Sequence, residues 1–124
     1  WLNVTGVQTC ALPISTVAAG VASYGDGLTF DAEGNLYAVF DFLDGFSLVQ
    51  SALMVLPMGG DTLIPFLATT DRILANPAFG NDAFGRTRLY VARIAIPVVS
   101  DPSSRGVDAF DVGIAGAGNG PDVP

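Results

Sequence analysis

The stretch Gly25–Phe40, GDGLTFDAEGNLYAVF, decides the fold. It holds two short apolar runs, Leu28-Thr29-Phe30 and Leu36-Tyr37-Ala38-Val39-Phe40, each of strand length and strand composition. Between them lies Asp31-Ala32-Glu33-Gly34-Asn35, a tight polar turn with a glycine where the backbone needs a positive φ. The segment reads as a β-hairpin. In front of its first run Asp26 stands between Gly25 and Gly27. A carboxylate at a strand entrance, flanked by residues too small to shield it, marks a candidate site.

Asp26 through Tyr37 also fits, without a gap, the form DG-hydrophobic-x-hydrophobic-D-x-x-G-x-hydrophobic-aromatic. The segment resembles the strand–turn–strand signature of the gluconolactonase and senescence-marker-protein (regucalcin-like) family of six-bladed β-propellers. That resemblance implies that Asp26 points into a central channel and binds a divalent metal. It also implies that Asp26 acts as the base that activates water. The alternative for Asp26 is an aspartate hydrogen-bonding its own turn before a strand, a frequent use of the residue.

Beyond the hairpin the chain shows a weak self-similarity. Leu74–Ile94, LANPAFGNDAFGRTRLYVARI, repeats the order of small-residue entrance, apolar strand, Gly/Asp/Asn turn and Leu-Tyr-hydrophobic. The distance from Tyr37 to Tyr90 suits one propeller blade with a longish loop. Blades are four-stranded antiparallel sheets, so each unit should add two strands after its hairpin. Ser51–Leu56 and Thr62–Leu67 are the candidates in the first unit, with Pro65 marking an edge strand. Asp41–Phe46 is expected as the loop between the second and third strands. In the second unit Arg105–Val112 should form a strand after a Pro97–Pro102 loop, and Gly113–Pro124 reads as coil. Prolines and glycines recur too often for helices of ordinary length.

Composition narrows the chemistry. Half of the 124 residues are hydrophobic and 14% are charged, so the chain has material for a core. No apolar run approaches the roughly 18 residues that a membrane-spanning helix needs. A formal charge of −7 argues against nucleic acid and anionic membranes as partners. There is no histidine, and the five basic residues (Arg72, Arg86, Arg88, Arg93 and Arg105) are all arginine. No Ser-His-Asp triad, Cys-His pair, Ser-Lys pair or lysine Schiff base can form within the chain. With Cys10 as the one cysteine, a thiolate or imidazole zinc site is excluded too. What remains are carboxylates, tyrosines, backbone groups and an oxygen-ligated metal.

Val4–Ile14, VTGVQTCALPI, resembles a translated sequencing-library adapter joined in frame to a truncated gene. Residues 1–14 are therefore set aside from the fold, together with the Asn3-Val4-Thr5 sequon and Cys10. Among the other candidates, Asp31, Glu33 and Asn35 read as turn residues; they lack the spacing and the position-12 glutamate of an EF-hand. Asn76 stands in the second unit roughly where Asp26 stands in the first, and Asn76-Pro77 is also a turn dipeptide. Gly116-Ala117-Gly118-Asn119-Gly120 lacks the spacing and the following helix of a phosphate loop. Tyr24, Phe40, Phe42 and Phe46 could rim a pocket, but aromatics in a propeller mostly pack between blades.

The resulting expectation is an all-β, partial β-propeller of about two four-stranded antiparallel blades, 15–70 and 71–112, followed by a coil tail over 113–124. It reads as a C-terminal fragment of a metal-dependent lactonase-type hydrolase. The parent would use a divalent ion (Ca²⁺, Mg²⁺, Mn²⁺ or Zn²⁺) and a small lactone-type substrate, with Asp26 as metal ligand and general base. The family's other ligands, a glutamate and an asparagine, have no assignable position here. A lone carboxylate does not hold such an ion in a defined geometry, so the chain by itself is expected to be inactive. The alternative is a non-catalytic propeller that binds a partner, with Asp26 merely starting a strand. Two blades leave two apolar faces open to water. The isolated chain is therefore expected to aggregate or stay partly unfolded; a monomeric, cooperative melt would overturn that.

Overall fold

The computed structural model describes residues 22–118 apart from 46 and 97–104. Outside these lie the adapter-like segment with Cys10, Phe46, the Pro97–Pro102 loop and the end of the tail. Seven strands carry the described chain: β1 (Ala22–Phe30), β2 (Leu36–Asp44), β3 (Ser47–Leu56), β4 (Ile64–Thr69), β5 (Arg72–Phe79), β6 (Arg88–Ala95) and β7 (Gly106–Asp111). They form two antiparallel sheets that do not close on one another. Sheet I has the order β1-β2-β3-β4 and sheet II the order β5-β6-β7. The molecule is all-β. Among the described residues no helix is long and apolar enough to cross a membrane.

Each sheet is a meander of neighbours in sequence, as the spacing of turn residues predicts. Pro65 lies in β4, the edge strand of sheet I, where its missing N–H interrupts no inner ladder. The second unit supplies three strands among the described residues, against the four expected. Boundaries also differ from the sequence reading: β3 begins at Ser47 instead of Ser51, and β4 spans Ile64–Thr69 instead of Thr62–Leu67. Asp41–Phe46 is not a loop: β2 continues to Asp44, because Asp41, Phe42 and Leu43 stay paired with Ser51, Gln50 and Leu48. The reversal is confined to a short turn at Gly45, whose φ of 60° suits glycine. Nor does Asp26 stand at a strand entrance, since β1 begins at Ala22 and Asp26 lies inside it.

The sheets stack through one apolar layer. Tyr37, Val39 and Leu53 of sheet I meet Leu74, Leu89 and Val91 of sheet II, and all six are buried. Register explains the choice: Tyr37 pairs with Val55 and Val39 with Leu53, so these side chains share the face turned to sheet II. Fully burying one such side chain stabilises the fold by about 1.5–3 kcal/mol. Ser51, also on that face and fully buried, accepts a hydrogen bond at its Oγ from the Leu74 N–H at 2.9 Å. That bond gives the otherwise apolar contact a fixed register between β3 and β5.

The hairpin turn is held by Asp31, which is 1% exposed. Its Oδ1 accepts from the backbone N–H groups of Glu33 (3.0 Å) and Asn35 (2.9 Å). Its Oδ2 accepts from Asn35 Nδ2 (2.8 Å) and the Tyr37 hydroxyl (3.2 Å). Asn35 in turn accepts from the Met58 N–H at 2.9 Å, tying the hairpin to the β3–β4 turn. Gly34, with φ of 86°, completes the reversal. The tail crosses to this turn as well. Ala32 N–H donates to Ala115 and Ala117 N–H to Phe30, while Gly116 N–H donates to Arg86. Gly116 must be glycine, because a Cβ there would lie 2.2 Å from Phe79 Cβ.

Burial alone would raise the Asp31 pKa, but the donors around its carboxylate outweigh it and hold the pKa below the usual aspartate value. Burial of Tyr37, and after it the charge of Asp31, push the Tyr37 hydroxyl up to about 12. A folded pKa below the unfolded one gives stability that is present above the ordinary aspartate range and lost as pH falls through the folded pKa. Asp31→Ala should therefore destabilise the chain by about 3 kcal/mol near neutral pH, since it leaves buried donors unpaired. The deficit should shrink in acid. Urea midpoints at fixed chain concentration across pH check both statements.

Candidate functional site at the paired bulges

Asp26 is the extra residue of a β-bulge. Gly25 pairs with Phe40 and Gly27 with Val39, so Asp26 has no partner on β2 and its side chain is exposed. A bulge of this kind bends the strand and re-aims one side chain. The second unit also breaks its ladder, one to two residues nearer its turn. There the register slips between Ala75 and Ala78, around Asn76 and Pro77. Asn76-Pro77 is thus a bulge inside β5 and not a turn between strands. Asn76 has φ of 44°, a left-handed conformation that asparagine tolerates better than most residues.

The two bulges touch. A Cβ on Gly27 would lie 2.8 Å from Asn76 Cα and 3.0 Å from Asn76 Oδ1, so only glycine fits against β5 at this point. Asp26 is the neighbour of Gly27, and the bulge that exposes it is also the place where the first strands of the two sheets approach. The contact of Gly27 with Asn76 sets the two bulges side by side, with Asp26 one residue away from it.

A third residue, not singled out in the sequence, completes the wall. Asp41 follows Tyr37 and Val39 on the same face of β2 and is half-buried. Burial raises its pKa; a hydrogen bond from the Ser51 hydroxyl opposes that rise, and the charge of Asp26 adds to it. Asp41 Oδ1 is buried with no hydrogen-bond partner among the described residues. The sequence signal for Asp41 was its place in the alternation Tyr37, Val39, Asp41, where a third apolar side chain is the natural continuation. Reading the segment as a loop hid it.

The oxygen donors on this wall are two carboxylates and an amide. They suit a hard cation in kind, but the described residues contain no group of three or more histidine, cysteine, aspartate or glutamate side chains able to hold a metal ion. By themselves they do not make a metal centre, and no reaction step through a metal is derived from them. The remaining candidates have other duties. Asp31 and Asn35 are occupied as turn residues, and Glu33 is exposed beside them. The N–H groups of Gly116 and Ala117 donate to the Arg86 and Phe30 carbonyls, so neither is free for a phosphate. Phe40 and Phe42 are half-buried on the face of sheet I turned away from sheet II, and Tyr24 is exposed.

Comparison with protein-family models, curated proteins and solved structures finds no match in any of the three.

Gly27→Ala should drive β1 from β5 and destabilise the stack by about 2 kcal/mol, read as a lowered urea midpoint. Asp41 predicts the opposite pH behaviour to Asp31. Its folded pKa lies above the unfolded one, so its contribution to stability is fully present below the ordinary aspartate range and lost as pH rises through the folded pKa. The fall in stability as pH rises above the ordinary aspartate range should be shallower in Asp41→Asn than in the parent chain, read from urea midpoints.

Proposed function

We propose that the chain is part of a β-propeller hydrolase of the gluconolactonase and regucalcin-like type, acting on a sugar lactone or related cyclic ester. The observation that carries this reading is the exposed carboxylate of Asp26 on a bulge that touches the bulge at Asn76 in the second sheet. Propeller blades are antiparallel meanders stacked face to face, and the two sheets here have that form. The resemblance over Asp26–Tyr37 supplies the chemistry.

In this reading Asp26 and Asn76 face the substrate, and Asp26 would hold a divalent ion with donors from neighbouring sheets. Such an ion, when bound, supplies Lewis-acid polarisation of the lactone carbonyl. The chain's own contributions are more local. Asp26 is exposed and able to accept the proton of an attacking water. The half-buried Asp41 lies beside it, and the Gly27 contact holds the two bulges together.

The decisive experiment measures lactone hydrolysis by the protein that carries this segment among its neighbouring sheets, with and without chelator, beside Asp26→Ala. Loss of activity by a hundredfold or more on the order of a missing general base is expected in the variant, and comparable loss with chelator. Activity indifferent to both treatments overturns the metal mechanism. Absence of hydrolysis in the intact protein leaves the binding propeller as the better account.

A further inference from the structure

After β7 the chain runs across the first turns of both sheets and is hydrogen-bonded to each. On sheet II, Val112 N–H donates to the Thr87 carbonyl at 2.9 Å and Gly116 N–H to the Arg86 carbonyl at 3.1 Å. On sheet I, Ala117 N–H donates to the Phe30 carbonyl at 2.8 Å, and the Ala115 carbonyl accepts from Ala32 N–H at 2.7 Å. Phe30 and Ala32 flank Asp31, so the strap docks where the buried carboxylate already holds the hairpin. Gly116 is the pivot. It bridges to Asp31 on sheet I and is buried against Phe79, the last residue of β5.

The two strands fastened in this way are the two that carry the bulges. Gly27 lies three residues before Phe30, and Asn76 three residues before Phe79. β1 and β5 are thus joined at two levels, about 10 Å apart along each strand. At one level Gly27 meets Asn76, and at the other the strap spans Phe30 and Phe79. The strands belong to different sheets, so no ladder joins them. The apolar layer sets the separation of the sheets, but among the described residues β1 places no side chain in it. The seat of β1 on β5 needs fastenings of its own. One contact leaves the angle between two strands free; two contacts fix it.

We propose that the strap over residues 112–117 positions the two bulges, holding β1 on β5 so that Asp26 and Asn76 keep a fixed relation. Gly116 is the positioning residue, acting through Phe30 and Phe79. The positioning stands on the backbone contacts alone; its consequence for turnover rests on the lactonase reading.

Two variants of the protein that carries this segment among its neighbouring sheets test it. Gly116→Ala puts a Cβ where Phe79 lies and lifts the strap. Ala117→Pro removes the N–H that Phe30 accepts. In each, backbone amide exchange should quicken about tenfold at 25–30 and 75–79, while 51–56 in β3 keeps its protection. Gly27→Ala opens the bulge contact directly, so adding Gly116→Ala to it should quicken exchange at 75–79 little further. Separate sites without a link would simply add. With gluconolactone as the probe, kcat should fall about tenfold with KM little changed, since the groups remain and their alignment does not. Unchanged exchange at the bulges, full additivity with Gly27→Ala, or loss of protection at 51–56 in both variants overturns the proposal. Quickened exchange with kcat unchanged in an active protein overturns its consequence for turnover. Quickened exchange in a protein that hydrolyses no lactone overturns the lactonase reading and supports the positioning.

Discussion

The packing of Val39 and Leu53 against Leu74, Leu89 and Val91 is the contact on which everything else here depends. Neither sheet is thick enough to bury a face of its own, and a lone meander in water is marginal. Stacking removes five aliphatic side chains almost wholly from solvent. It also sets the separation at which the Ser51 hydroxyl reaches the Leu74 N–H, and at which β1 presses on β5. The site residues inherit their positions from this layer. Without it Asp26 and Asn76 would sit on unrelated hairpins.

The bulges turn that packing into a possible site. A regular ladder through residues 25–27 would alternate side chains evenly, and Asp26 would take a paired position on β2. Inserting one unpaired residue frees it, while the adjacent glycine lets the neighbouring strand close in. The same slip in β5 uses Asn76-Pro77 instead of Asp26-Gly27, and the asparagine accepts the left-handed backbone that the slip demands. A proline without a donor N–H is at home where the ladder is already interrupted. Two chemically different solutions therefore serve one geometric need.

Much of this was legible because hairpins are local. The alternation in Leu36–Phe40, the Gly34 turn and the Leu-Tyr repeat at Tyr90 announce strands and their order, and β4 keeps Pro65 at the edge as its chemistry requires. What escaped was long-range. Asp41 and Asp44 look like loop residues in sequence, since aspartates, a glycine and aromatics are crowded together there. Pairing with β3 overrides that local preference, because Phe42 and Leu43 have partners across the strand. The bulges were invisible for a related reason: Gly25-Asp26-Gly27 signals a break in regular structure but not whether it ends a strand or interrupts one. The strap from Ala115 to Ala117 could not be read at all, as nothing in a glycine-rich tail names the Phe30 and Ala32 backbone groups it meets.

The carboxylates of the chain separate by environment rather than by sequence context. Asp31 and Asp41 are both withdrawn from water, and withdrawal alone disfavours the charge of each. Asp31 is surrounded by four donors, two of them backbone N–H groups, and is held charged as a structural pin. Asp41 has the Ser51 hydroxyl on one side, the charge of Asp26 on another and a buried oxygen without a partner. Its proton is consequently held more tightly than an ordinary aspartate's. The division lies along one strand and one turn: the hairpin keeps the carboxylate that builds the fold, and β2 carries the one whose proton is held more tightly beside Asp26.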